Sequence, residues 1–490
     1  MLKLFLPGVV LLFFSTSRSF AQEKLTFTLE ETVSRARLYS STAISARHAY
    51  RSVYWSWRSF KADQLPSVSF TSAPSLNRSI QALTMPDGSD SYVHRDLFTL
   101  DGSLSISQNV PFTGGRVYIQ SALQRIDLFS DQSHAYKSTP LIVGYSQNIF
   151  GYNSQKWQRK IEPLRYEEGK KNYIEAMEQV SRIAVLRFFT LAVAQTAWGI
   201  ARDNYDNAEM LYRIGEGRYE KIGTITENDI LQLEINKLNA QTNMINARME
   251  VDDCMFELRS YLGITDDIEI EVIPDENVPI FLIDEHKALE MAMANNAQIL
   301  SLQRQAIESE RAVVSARAQR FQVNFFMEFG LSQSGNELQA AYQSPLQQQV
   351  VRAGFTIPIL DWGVGKGRVK MAESNRDRTR IEIEQNRTDF QQNVLKMVKQ
   401  FNLQANKIAI AHKTNEIAQR HHDVTQKLFL SEKSTMLELN SAISEKDNAR
   451  RNYINSIYQF WSLFYNLRAL TGFDFQQEIV ITEDFHMLIQ

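Results

Sequence analysis

A single cysteine in 490 residues, Cys254, rules out a disulfide framework, and no cysteine follows the N-terminal apolar run to carry a lipid. Basic tracts are equally lacking. The 53 Lys and Arg and 56 Asp and Glu are scattered, for a net charge of −3, so nucleic acid is not expected as a partner. HExxH, a nucleophile elbow, a P-loop and GxGxxG are all missing from any fitting context. Nothing therefore points to an enzyme, and no cofactor or metal is expected. Proline is scarce, at 11, and none lies between Gly365 and Leu430. Past the N-terminus, the nearest approach to a membrane-crossing helix is Ile183 to Ala201, which contains Arg187 and Gln195 and reads as a packed bundle helix.

The chain begins with Lys3, an apolar run from Leu4 to Phe14 and the small-x-small triplet Ser19-Phe20-Ala21, the pattern of a secretory signal covering 1–21. The proline-free stretch Gly365 to Leu430 reads as one helix roughly 100 Å long. Along it Phe390, Val394, Met397, Phe401, Ala405, Ile408 and Ala411 recur three and four apart between polar residues, a coiled-coil stripe. A second helix of similar length is expected over 154–222.

Taken in order, the elements repeat. A helix from Thr28 to Lys61 leads to strands within 66–149, the long helix, a break at Gly223, and a return helix over 226–262 that ends on Gly263. In the strand region 73–96 reads as a polar loop about the turn Pro86–Ser89, and 97–110, 116–128 and 141–149 as strands. A connector, 264–284, follows. The plan then recurs over 285–472: a helix from Glu285 to Arg320, strands within 321–359 with a polar loop from Ser332 to Gln349, a long helix over 364–430, a break at Ser431–Ser434, and a return helix over 435–471 before Gly472. Residues 473–490 form a tail. A shift of 256 aligns Ala36 with Ala292 and Ser45 with Ser301. A shift of 209 aligns Thr226 with Thr435, Asn239 with Asn448, Leu258 with Leu467 and Gly263 with Gly472. Matched helix starts and ends point to an internal duplication spanning 22–263 and 285–472. The two shifts differ by 47 residues, an excess in the first half that places an additional strand pair near Leu97 to Leu128.

The strands alternate: Leu100, Leu104 and Ile106 face one way and Asp101, Ser103 and Ser105 the other. Alternation alone suits any half-buried soluble sheet. Strands carried on a 100 Å helix, behind a signal and without a lipid cysteine or transmembrane helix, favour a closed membrane barrel, because only closure leaves no unpaired edge in lipid. Two or three hairpins cannot close alone, so copies must share one barrel.

The opening LTFTLEETVSRA, the junctions QNIFGYN and IPILDWGVGKGR, and the segments GTITENDILQLE and EKSTMLELNSA, in this order, resemble the TolC family of outer membrane factors over essentially the whole chain after the signal. The resemblance implies a mainly α fold: a coiled-coil α-barrel of long helices plus a transmembrane β-barrel shared by a homotrimer, with the connector and tail equatorial. It implies a passive exit duct of a tripartite efflux or type I secretion system, in the outer membrane of a Gram-negative bacterium and extending into the periplasm. Its partners would be outer membrane lipid, a periplasmic adaptor (membrane fusion protein) and an inner-membrane pump such as an RND or ABC transporter. The alternative is a periplasmic coiled-coil adaptor, or a structural protein without a channel.

Family members narrow the tunnel with acidic residues at the periplasmic tip; the resemblance places Glu438 and Ser441 at those positions and Asp229 at the related place in the first repeat. Gly223, Thr226, Lys433, Ser434 and Thr435 would form the tip turns and the adaptor contact. Ser441 removes one expected carboxylate, and Ser434 stands where a tip arginine is frequent. Thr226 with Asp229 and Thr435 with Glu438 also read as capping boxes, in which the acid accepts backbone N–H bonds at a helix start. The pair His421-His422 reads as solvated helix surface, since adjacent helical residues point about 100° apart and do not share a metal easily. Phe70, Tyr92, Phe98, Tyr145, Phe150, Phe355 and Trp362 suit either interfacial girdles or ordinary core.

Overall fold

The computed structural model describes residues 24–129, 132–149, 151–222, 226–266, 268–275, 277–320, 322–356, 359–431 and 433–489. The expected signal at 1–21, Phe150 and Gly223 lie outside them. In chain order the elements are β1 (Lys24–Phe27), α1 (Leu29–Tyr39), α2 (Ser41–Ala62), β2 (Ser67–Thr84), β3 (Asp90–Val110), β4 (Gly115–Leu128) and β5 (Ser133–Ile149). Then come α3 (Ser154–Ile222), α4 (Glu227–Tyr261), β6 (Glu269–Val272), α5 (Glu285–Asn295), α6 (Ala297–Ala318), β7 (Gln322–Gly335), α7 (Ala340–Gln343) and β8 (Leu346–Thr356). The chain finishes with α8 (Val364–Asn402), α9 (Gln404–Leu430), α10 (Met436–Thr471), β9 (Phe473–Asp474) and β10 (Ile479–Val480).

The contacts divide into two units. One holds residues to Ser45, Ala176–Ile283 and Met397–Leu467; the other holds Ala46–Glu175, Asp284–Lys396 and Arg468 onward. In the first unit, β1 pairs in parallel with β6, which converts the LTFT segment and the connector into one small sheet. Gln195 of α3 holds that sheet, its amide donating to the Ile270 carbonyl at 2.8 Å and accepting from the Val272 N–H at 3.2 Å. Asn402 holds the far end of the connector in the same fashion, with both bonds to the Ile283 backbone at 2.9 Å. Around it Phe281, Phe401, Phe460 and Phe464 form the aromatic core, Phe401 and Phe460 lying 4.9 Å apart between ring centroids. Val185, Phe188 and Leu191 of the apolar stretch in α3 are fully buried, so protein packing accounts for their hydrophobicity. Glu178, also fully buried, pairs with Arg37 at 2.9 Å.

The second unit contains a six-stranded antiparallel sheet in the order β2-β3-β4-β5-β7-β8. Its register puts Val68, Phe70 and Leu76 of β2 beside Ile106, Leu104 and Phe98 of β3 on one face. That face continues through Ile119, Val143 and Phe329. These apolar side chains are largely exposed, Phe70 at 71%. The opposite face is hydroxyl-rich: Ser67–Ser107 and Ser69–Ser105 hydrogen-bond across strands at 2.9 Å, and Ser75–Thr99 at 2.6 Å. On that face the Tyr118 ring lies over Gly144, where an added Cβ would stand 2.1 Å from it. Elsewhere in this unit Tyr50, Tyr173 and Phe485 of the tail cluster, with Tyr50 and Phe485 centroids 5.0 Å apart.

Five expectations change. The first helix is two, because Ser40 leaves helical geometry (φ −65, ψ 145) and its hydroxyl caps α2 at the Ala43 N–H. Asn296, the residue 256 further on, does the same between α5 and α6, with its side chain capping at Gln298. The expected polar loop 73–96 is strand up to Thr84 and from Asp90, leaving only the Pro86–Ser89 turn and its flanking residue Met85 between. Its alternation, Leu76 and Ile80 against Ser75 and Ser79, is diluted by serines, and the ladder with β3 carries it. The loop 332–349 likewise gives way to strand, the short helix α7 and strand. The helix over 364–430 divides at Leu403 into α8 and α9, although Leu403 itself keeps near-helical angles (φ −81, ψ −14).

Candidate functional site

The residues expected at the tip lie on the first turns of α4 and α10 and on the turn that precedes α10, all in the first unit. Thr226 is the N-cap of α4, and its N–H and hydroxyl donate to one carboxylate oxygen of Asp229 at 3.1 and 2.6 Å. The Asp229 N–H returns a bond to the threonine hydroxyl at 3.3 Å. Thr435 and Glu438 repeat this at α10: the Thr435 N–H donates to Glu438 Oε2 at 2.8 Å, and the Glu438 N–H donates to the threonine hydroxyl at 3.3 Å. Ser434 adds a hydroxyl bond to the same Glu438 oxygen at 2.6 Å. Both acids therefore occupy the positive end of a helix and accept orphan backbone donors.

Their proton affinities follow from these bonds. The Ser434 hydroxyl, then the Thr435 N–H, hold the Glu438 carboxyl below its ordinary value. The Thr226 hydroxyl and N–H hold Asp229 below its own. Both side chains are exposed and ionised at neutral pH.

The turn preceding α10 is closed from both sides. The Lys433 N–H donates to the Leu428 carbonyl at 2.9 Å, a bond back to the last turn of α9. Its ammonium-bearing side chain is exposed. Ser434 is thus committed to Glu438 and Lys433 to the end of α9, with no arginine needed to close the turn. Ser441 donates weakly to Glu445 at 3.4 Å, and Glu445 also meets His421 at 3.2 Å. Among the described residues no hydrogen bond or ion pair joins Asp229 to Glu438; each belongs to its own cap.

His422 departs from the expected solvated surface: it is buried, with Nδ1 3.2 Å from Asp423, while His421 is exposed. His422 lines a cleft of about 750 Å³ between α3, α4, α9 and α10. Asn236, Asn239 and Asn243 of α4 and Asn204 of α3 face it, and the buried Asp447 accepts from the Asn204 amide at 3.1 Å. This seam was not anticipated, although asparagines at 236, 239 and 243 sit three and four apart on one helix face. Among the described residues no cluster of His, Cys, Asp and Glu has the arrangement of a metal site.

Residues 288–473 match the family described as outer membrane efflux protein. No curated protein matches the chain. Among solved structures, the Campylobacter jejuni CmeC outer membrane channel superposes with a TM-score of 0.66 at 14% identity, over 94% of this chain and 88% of that one. The outer membrane protein VceC of Vibrio cholerae gives 0.63 at 12%, over 91% and 96%. The open state of the Neisseria gonorrhoeae MtrE outer membrane channel gives 0.59 at 12%, over 91% and 88%. The TolC-like fold read from the sequence is the fold these structures share.

Proposed function

We propose that a chain carrying the outer membrane efflux protein pattern over 288–473, on the fold of the outer-membrane channels, is itself a passive exit duct of a tripartite efflux system. It lies in the outer membrane of a Gram-negative cell and reaches into the periplasm. The observation that carries this reading is the sheet: apolar and exposed on one face, hydroxyl-lined on the other, with both edges open. Water gives such a sheet no reason to expose Phe70, Leu76 and Phe329 together. Lipid does, and the polar face then lines a lumen once the edges are closed.

Closure requires further copies, and three are proposed. The long helices then line the periplasmic passage, which a periplasmic adaptor and an inner-membrane pump would extend; the pump supplies the energy. The duplicated plan over 22–263 and 285–472 supports pseudo-equivalent halves: Thr28 and Asp284, 256 apart, both cap their first helices, and Gly263 and Gly472 both end the return helices at positive φ. Glu438, and with it Asp229, is proposed to set the charge at the narrow end, with Ser441 leaving that ring short of one carboxylate.

Conductance of the purified protein in a planar bilayer tests this, with Glu438→Ala alongside. Long-lived channels, cation-preferring in the wild type and less so in the variant, are expected. Channels indifferent to the substitution return Glu438 to helix capping alone. Protein that stays soluble without detergent and never inserts removes the duct.

A further inference from the structure

The second repeat contributes one hairpin to the sheet, β7 and β8, whereas the first contributes two, β2 to β5. The additional hairpin is no surface loop. β3 pairs with β2 from Asp90 to Ser107 and with β4 from Leu97 to Val110, while β4 pairs with β5 from Arg116 to Leu128 with one irregularity between Gln120 and Ala122. Its side chains keep the two-faced pattern of their neighbours: Leu104 and Leu123 belong to the apolar face, Ser103 and Gln124 to the polar one.

Two edges remain, β2 and β8. The six strands alternate in direction, so β2 and β8 run opposite ways. The β8 edge of one copy therefore meets the β2 edge of an identically oriented copy antiparallel, and rotation about one axis repeats the junction until the ring closes.

Resting on the trimeric reading above, we propose that three chains close a barrel of eighteen strands, with the β3–β4 hairpin spanning the membrane as wall. Strands about 4.8 Å apart and tilted near 40° give a circumference of roughly 110 Å and a backbone diameter of about 35 Å. Two hairpins per chain would give only about 24 Å on the same reckoning. The eighteen-stranded wall is in the size class that leaves an open aqueous channel. Its lining beside β2 consists of small hydroxyl side chains that occupy little of that width. The outer-membrane end is then the wide part of the duct, non-selective by size for solutes that have passed the tip. Bulky polar cargo is the class this opening accommodates.

Thiol labelling of the full chain in membranes tests the hairpin, on a Cys254→Ala background. Leu104→Cys and Leu123→Cys are expected to resist a charged, membrane-impermeant maleimide, while Ser103→Cys and Gln124→Cys react. Equal labelling of all four overturns the eighteen-stranded wall and leaves the duct itself untouched. Oxidation of paired cysteines, Ser69→Cys or Ser75→Cys on β2 with Gln348→Cys or Gly354→Cys on β8, is expected to give a covalent ring of three in one register. Non-covalent trimers that no pair cross-links overturn closure through these edges. Absence of any trimer strikes the duct reading instead.

Discussion

Arg37 and Glu178 illustrate what a single side chain contributes to the first unit. Glu178 is wholly buried and Arg37 keeps about a quarter of its side chain in water, at 24%. Losing the arginine takes the ion pair away from a fully buried carboxylate, whereas neutralising the glutamate leaves a guanidinium that water still reaches. Arg37→Ala is expected to cost about 3 kcal/mol in urea unfolding and Glu178→Gln clearly less. Equal costs would mean that packing, not charge, decides the pair. At the same scale, the Glu438 carboxylate is held by two donors, and its own N–H donates to the Thr435 hydroxyl, three bonds that shape the start of α10. Any role at the narrow end must be exercised through that fixed geometry.

At the scale of elements, caps and stops decide where these helices begin and end. Gly263 sits at φ +66, with the Tyr39 carbonyl 3.2 Å from where a Cβ would stand. Gly263→Ala is expected to destabilise by roughly 1–2 kcal/mol, from the left-handed backbone and the close oxygen together. Thermal unfolding measures it, and an unchanged midpoint would show that the end of α4 relaxes freely. The breaks at Ser40 and Asn296 belong here too. The sequence reading runs a continuous helix through both, since Ser40-Ser41-Thr42 and Asn295-Asn296 are polar residues that an exposed helix face also carries. A single serine or asparagine inside a periodic run signals a stop only when its own side chain is seen capping the next turn.

For the whole molecule, the proposed trimer would bring the charges of three tips together. Three Glu438 carboxylates about one axis would raise one another's proton affinity, while the cap bonds at 2.6 and 2.8 Å lower it. The cap bonds act at contact distance, and charges across a watery passage are screened over about 8 Å at physiological salt. The lowered side prevails. Because the folded value is depressed, the cap, and with it the proposed cation preference, is expected to be fully present above the ordinary 4.5 and lost only as pH falls through the lower folded value. Reversal potentials measured across a pH series check this. Loss of preference already above 4.5 would show that mutual repulsion outweighs the caps.

Much of this was open to reading from the residues. The long helices follow from uninterrupted three-and-four spacing, the capping boxes from threonine and an acid three residues on, and the TolC-like order of elements from motifs in sequence. Those features are local, with each cause and its effect within one or two turns. What only the tertiary structure decided is non-local. The extended strands over 73–84 and 90–96 exist because each pairs with the other, the ladder overriding a serine-rich composition. His422 is buried because α10 and its neighbours enclose it, which no periodicity along its own helix reveals. The number of strands in the sheet, left open by a 47-residue excess, is settled by pairing partners far apart in the chain: β5 meets β7 across more than 170 residues, Ile149 beside Val323. Backbone hydrogen bonds between distant strands carry that information, and no side-chain pattern within either strand does.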